Sequence, residues 1–256
     1  MVKLIFFDID GTLINRNEKI ISESTINSLK ALHRRNIKCF LATGRDLSDV
    51  LKMDVNRFNF DGYLTLNGQL CYDDKFKKIF GFPFIKEEME VLESIFNAKR
   101  ITFEIVGEFA RYVNYDGEFA KSICDKNNLI LPPIGKYKGE TVYQISAYPT
   151  NKQKELLNDF LDYSVIRSWT ENGVDIIPAN GGKSNAIRKL CEMLDIDLFD
   201  TMAFGDGQND IDMIETVGIG VAMGNSIKEL KEVANYVTTD IGDNGIENAL
   251  KHFNLI

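Results

Sequence analysis

The sequence predicts a parallel α/β sheet interrupted by an α+β insert, and three observations carry that expectation. Continuous apolar runs, LIFF (Leu4–Phe7), IKCFLA (Ile37–Ala42) and GYLTLN (Gly62–Asn67), alternate with amphipathic segments near the start of the chain. Apolar throughout rather than every second residue, they read as strands covered on both faces. From about Phe82 the texture changes to strands that follow one another closely, and after Pro178 the first texture returns. The expected division is therefore 1–81 with 181–256 for the α/β part and 82–180 for the insert.

In chain order, Ile26, Leu29 and Leu32 have the spacing of one helix face, and LSDVLKM after the second strand also reads as helical. The insert opens with a helix over 86–97. ITFEIV and FARYVN follow as strands turned at Gly107-Glu108, a hairpin. A helix near 116–126, the Pro132-Pro133 break, the strand TVYQISAY, a helix over 152–162 and the strands SVIRSW and VDIIP complete it. Then come a helix over 184–194, the strand TMAFG, a helix near 211–215, the strand GIGVAM, a helix over 227–233, the strand YVTT and a final helix.

At 256 residues, with 44% hydrophobic and 27% charged residues, the chain has the make-up of a globular protein of one to two domains. Its formal net charge of -8 disfavours nucleic acid and anionic membranes as partners, since both call for basic patches. Cys39, Cys71, Cys124 and Cys191 form no CxxC pair, which points to a reduced, cytoplasmic protein without a cysteine metal site. No run approaches the ~18 apolar residues of a membrane span. Oligomeric state is not legible.

Polar residues recur at the carboxyl ends of the predicted strands, where open α/β sheets bind ligands. Asp8 and Asp10 follow the first strand, Thr43-Gly44-Arg45 the second, and Asp206 the strand TMAFG, while Lys183 opens the helix after the insert. Asp8, Asp10 and Asp206 supply hard oxygens of the kind that hold Mg²⁺. Lys183, the Thr43 hydroxyl and nearby backbone N–H groups suit a phosphoryl group. Residues i and i+2 of an extended chain face one side, so both carboxyls of Asp8 and Asp10 reach one crevice. Unequal environments would let one attack while the other moves protons.

Each residue also has a plainer alternative. Asp10-Gly11 and Asp206-Gly207 fit ordinary turns, Thr43 a cap, Lys183 a solvated surface lysine, and Asp210 and Asp212 acids at a helix start. Competing motifs fail on spacing. A Walker A loop ending in GGKS needs glycine where Ile177 stands, and GIGVAMG (Gly218–Gly224) is one residue too long for a dinucleotide fingerprint. An EF-hand read from Asp8 meets Leu13 at its sixth position and Lys19 at its twelfth. Cys39 to Arg45 fits C-x5-R, the loop of cysteine-dependent phosphatases. Yet Cys39 lies within an apolar strand whose N–H is expected in the sheet ladder, so a core cysteine is the better reading. The two histidines, His33 and His252, sit in amphipathic segments remote from these motifs.

DIDGTL, TGR, a lone lysine at 183 and GDGQND (Gly205–Asp210), in that order, resemble the four motifs of the haloacid dehalogenase superfamily. Asn67-Gly68, the position of the insert and PANGGKSNAI resemble its Cof-type subgroup (type IIB). The resemblance implies a Rossmann-like core domain with an inserted α+β cap domain that selects the substrate. It implies a phosphatase, Mg²⁺-dependent, acting on small phosphate esters such as sugar phosphates. Asp8 would be the nucleophile, and Asp10 the group that protonates the leaving alcohol and then activates water. The Asp8 carboxylate, the Asp10 backbone carbonyl and Asp206 would hold the metal. Thr43 and Lys183 would bind phosphoryl oxygens, Asn209 and Asp210 would support the site, and Gly44 and Arg45 match TGR, with Arg45 reaching the distal part of the substrate. Arg167, Glu171 and Asn172 of the insert are given no role. A phosphomutase of the same superfamily and a non-catalytic phosphate-binding regulator are the alternatives.

Overall fold

The computed structural model of the chain describes residues 1–15, 19–127 and 129–256. They divide into two compact units, Met1–Phe80 with Lys183–Ile256, and Gly81–Gly182. Gly81, Gly181 and Gly182, read from the sequence with the first unit, fall in the second. The class is α/β, with an α+β unit between the two segments of the first.

Eight strands form the sheet of the first unit. Five precede the insert: β1 (Leu4–Phe7), β2 (Lys38–Ala42), β3 (Gly62–Thr65), β4 (Leu70–Asp73) and β5 (Lys78–Gly81). The insert contributes β6 (Phe103–Gly107), β7 (Arg111–Val113), β8 (Val142–Ala147), β9 (Ser164–Ser168) and β10 (Val174–Pro178) to a sheet of its own. The chain then returns with β11 (Thr201–Gly205), β12 (Ile219–Ala222) and β13 (Tyr236–Val237). The first sheet runs β13-β12-β11-β1-β2-β3-β4-β5. From β13 to β3 every pairing is parallel, with Phe6 of β1 lying between Ala203 and Phe40. All four residues of β1 are buried, which is why that strand is apolar without alternation.

The helices of this unit are α1 (Glu23–Arg34), α2 (Leu47–Val50), α6 (Lys183–Leu194), α7 (Ile211–Thr216), α8 (Lys228–Val233) and α9 (Gly245–His252); those of the insert are α3 (Lys86–Ala98), α4 (Glu118–Lys126) and α5 (Asn151–Asn158). α1 buries Ile26, Leu29 and Leu32, the stripe read from the sequence, and Ser22 caps it by accepting from the Thr25 N–H.

Four local expectations are corrected. GYLTLN leaves the sheet at Thr65, because Leu66 and Asn67 adopt left-handed φ values of 51° and 55° that no strand accommodates. LSDVLKM is helical only over Leu47–Val50, and the helix expected over 152–162 runs from Asn151 to Asn158. Residues 70–81, read without strands, hold β4, antiparallel to β3, and the edge strand β5. Their lysines and aspartates hide the pattern, and β5 is exposed at Lys78 and Ile79.

The insert's sheet, ordered β7-β6-β8-β10-β9, is antiparallel throughout. Phe103, Ile105, Ile145 and Ile176 of that sheet share a core with Met89, Leu92 and Phe96 of α3 and Leu157 of α5.

Candidate active site

The site lies at the carboxyl ends of β1, β2, β3 and β11. Hydrogen bonding continues one residue past β1, where the Asp8 N–H donates to the Phe204 carbonyl at 3.0 Å. The chain then turns at Gly11, whose φ of +99° and closeness to Asp206 both require glycine. A Cβ there would lie 2.2 Å from Asp206 Oδ2. Asp8 and Asp10 enter different surroundings.

Asp8 is buried and faces Lys183, with Nζ to Oδ1 at 2.8 Å. The same ammonium reaches Asp210 Oδ1 at 2.5 Å, and the Lys183 side chain has no solvent exposure. The other oxygen of Asp210 accepts the backbone N–H groups of Asp206 and Gly207, each at 3.0 Å. One lysine therefore stands between two buried carboxylates, a costly arrangement unless all partners are in place. Burial pushes the Asp8 carboxyl well above the usual carboxylate range, and the nearby Asp210 charge adds to this, while Lys183 opposes it. Burial alone would lower the ammonium of Lys183, but Asp210 and Asp8 outweigh it and hold it above its ordinary value.

Asp10 is gripped from the β2 side. Arg45 Nε donates to Asp10 Oδ2 at 2.6 Å and Nη2 to Oδ1 at 2.7 Å, a two-pronged contact that fixes the plane of the carboxylate. The guanidinium is thus directed to Asp10. Thr43 is buried, and its hydroxyl accepts the Arg45 N–H at 3.2 Å, so its own O–H remains a donor. Asn209 Nδ2 donates to Asn67 Oδ1 at 3.1 Å. Gly44 lies against the Asn67 carboxamide, where a Cβ would come within 3.1 Å of Oδ1.

Asp8, Asp206 and Asp210 present carboxylate oxygens within 4.8 Å of one another. Three carboxylates against one ammonium leave net negative charge in a buried place, and the donors are all hard oxygens, so the set fits a divalent cation such as Mg²⁺. Asp210 is the least suited of the three to coordinate, since Lys183 and two backbone N–H groups take up its oxygens. Asp8 and Asp206 are the carboxylates that fit.

Two residues near these acids carry contacts the sequence reading assigned to no one. Thr12 Oγ1 donates to Asp206 Oδ1 at 3.3 Å, and Asn225 Nδ2 donates to the Gly11 carbonyl at 2.8 Å. Thr12 stands inside DIDGTL and was open to inspection; nothing near Asn225 signalled its reach of 214 residues. In the insert, Arg167 lies in β9 opposite Asp175, and Asn172 Nδ2 donates to the Pro149 carbonyl at 3.2 Å.

The rival nucleophile fails on environment. Cys39 is fully buried, and its thiol is pushed well above its ordinary value by burial. Its N–H is not in the ladder as expected. It donates to Asp61 Oδ2 at 2.8 Å, a side chain just ahead of β3. Burial likewise raises Cys71 to about 12 and Cys191 to about 11. The folded protein is therefore expected to show no fast thiol toward an aromatic disulfide reagent at pH 8, and all four thiols after unfolding. A fast thiol whose blocking stops activity would reverse this assignment.

The family model of the haloacid dehalogenase-like hydrolases matches residues 5–250. The Bacillus subtilis (strain 168) protein YkrA is 31% identical over 263 residues, covering 99% of this chain and 98% of its own. From the same organism, 5-amino-6-(5-phospho-D-ribitylamino)uracil phosphatase YcsE is 27% identical, with 98% and 96% covered. Among solved structures, the HAD subclass IIB sugar phosphatase BT4131 superposes with a TM-score of 0.86 at 31% identity, with both chains covered in full.

Proposed function

We propose that this chain, which belongs to the Cof-type group of the haloacid dehalogenase superfamily and is a phosphatase, hydrolyses small phosphomonoesters, sugar phosphates among them, through an aspartyl-phosphate on Asp8. The observation that carries the reading is the pair of unequal acids: Asp8 buried against Lys183, and Asp10 half-exposed in the grip of Arg45. An Asp8 oxygen attacks phosphorus as the ester P–O bond breaks, and Asp10 gives its proton to the departing alkoxide. Asp10 then takes a proton from water as the water oxygen attacks phosphorus, releasing phosphate and restoring Asp8.

Lys183 and the Thr43 hydroxyl neutralise and orient the phosphoryl oxygens. The Asp8 carboxylate, the Asp10 backbone carbonyl and Asp206 would hold Mg²⁺, which supplies charge neutralisation to the same oxygens when bound. Asp210 acts through Lys183 and the backbone of Asp206. Selection among leaving groups belongs to the insert as a cap domain. A cytoplasmic setting accords with four free, buried cysteines. Among the described residues, no helix is long and apolar enough to cross a membrane.

A panel of phosphomonoesters assayed for released phosphate tests this reading. Turnover is expected with Mg²⁺, with a loss of at least about 100-fold in EDTA that added Mg²⁺ restores. A hexose 1-phosphate isomerised without release of phosphate would show a mutase instead, and binding of phosphate without turnover of any ester a regulator.

A further inference from the structure

Asn67 belongs to a strand end to which no role is yet attached, and its contacts reach the loops that follow β2 and β11. In the sheet order, β3 is separated from β11 by β1 and β2. Three strand spacings put their axes roughly 14 Å apart. Yet Asn67, just past β3, and Asn209, in the turn after β11, join side chain to side chain at 3.1 Å. The joined carboxamides therefore span the ends of β1 and β2, the two strands that lead into Asp8 and Thr43.

The backbone around Asn67 is tied as firmly. Its N–H donates to the Thr43 carbonyl at 2.8 Å, and the Leu66 N–H donates to the Arg45 carbonyl at 2.9 Å. Asn67 holds a left-handed conformation (φ 55°, ψ 32°), which asparagine tolerates better than most residues. Its side chain is buried and lies against Gly44, where a Cβ would come within 3.1 Å of Oδ1, so a larger residue there would push on the carboxamide. A residue that only formed a turn would not need the contact with Asn209.

We propose that Asn67 is a positioning residue for phosphate binding: it fixes the Asn209 carboxamide relative to Thr43 and Arg45 without touching the reacting atoms. The proposal rests on the phosphatase reading above, and the test separates the two. Asn67→Gly keeps the left-handed backbone available and removes the carboxamide. Asn209→Ala removes the other partner, and the double variant closes a cycle.

Two readouts are taken, the KM and kcat of the best phosphomonoester and the dissociation constant of inorganic phosphate by calorimetry. Loss of one such hydrogen bond is expected to raise KM and weaken phosphate about five- to tenfold in each single variant, with kcat changed less. The double variant should be no worse than the weaker-binding single, because one contact is lost in all three. Effects that multiply, or an Asn67→Gly that lowers thermal stability while leaving both constants unchanged, would overturn the proposal. If the wild type binds phosphate without hydrolysing any ester, the phosphatase reading fails, and the phosphate constants still decide for or against Asn67. A wild type that does neither overturns both.

Discussion

Replacing Asp8 by asparagine is expected to lower turnover of every phosphomonoester by at least about 10⁴-fold, the scale on which enzymes lose rate when a covalent nucleophile is removed. Asparagine matches the shape of aspartate, but its amide is not a nucleophile. The fold should survive, because Lys183 keeps Asp210 at 2.5 Å and Asp210 keeps its two backbone donors. Stability supplies an independent sign. Burial, with Asp210 next in size, raises the Asp8 carboxyl above its unfolded value, so ionised Asp8 destabilises the native state wherever the unfolded chain has already lost that proton. In Mg²⁺-free buffer near pH 7, Asp8→Asn should therefore melt higher than the wild type. The difference should vanish as pH falls below about 4, the ordinary aspartate range, where both states carry the proton. Substantial turnover by the purified variant would defeat the assignment of the nucleophile.

That prediction starts from a stretch whose place at the candidate site was largely legible. Asp8 and Asp10 were identifiable because strand periodicity sends residues two apart to one side, and because Asp206 and Lys183 also fall at element ends. Continuous apolar strands separated by helices were enough for the parallel sheet, since a strand buried on both faces has no polar phase to show. Which partners meet across the sheet was not legible. Nothing in TGR says that Arg45 turns to Asp10, and nothing in GDGQND says that Asp210 lies against a lysine 27 residues earlier. Such pairings depend on strand order and on how each loop leaves its strand. Asn67 is the sharpest case: its dipeptide with Gly68 was noticed, but its meaning depends on Asn209, 142 residues away with β1 and β2 in between. β5 escaped for a different reason: it is a short edge strand, exposed at Lys78 and Ile79, and so resembles a loop, while β4, between β3 and β5, runs straight into the charged Asp73-Asp74-Lys75 stretch.

Removing the ammonium at 183 tests a group shared by two buried carboxylates. Lys183→Met keeps an unbranched apolar stem out to Cε and leaves the Asp8 and Asp210 carboxylates buried near one another without a counter-charge. Breaking a buried ion pair from one side typically costs about 3–5 kcal/mol, so denaturant unfolding should show a loss of that order in Mg²⁺-free buffer. Phosphatase activity should fall by at least about 100-fold, since a phosphoryl-facing cation is lost as well. The stability deficit should be pH-dependent in a fixed direction. With the lysine gone, burial and mutual repulsion favour the protonated carboxyls more strongly, so the deficit shrinks as pH falls and they take up protons. In the wild type the sign is opposite: the Lys183 ammonium lies above its ordinary value, so its contribution is complete at neutral pH and declines only as pH rises through that elevated value. Combining Lys183→Met with Asp8→Asn removes one of the stranded charges. The double variant should therefore be more stable than Lys183→Met alone, although it carries one more substitution. Additive losses in that cycle would mean that Lys183 and Asp8 are not coupled in the folded protein, and the charge balance inferred for the site would have to be abandoned.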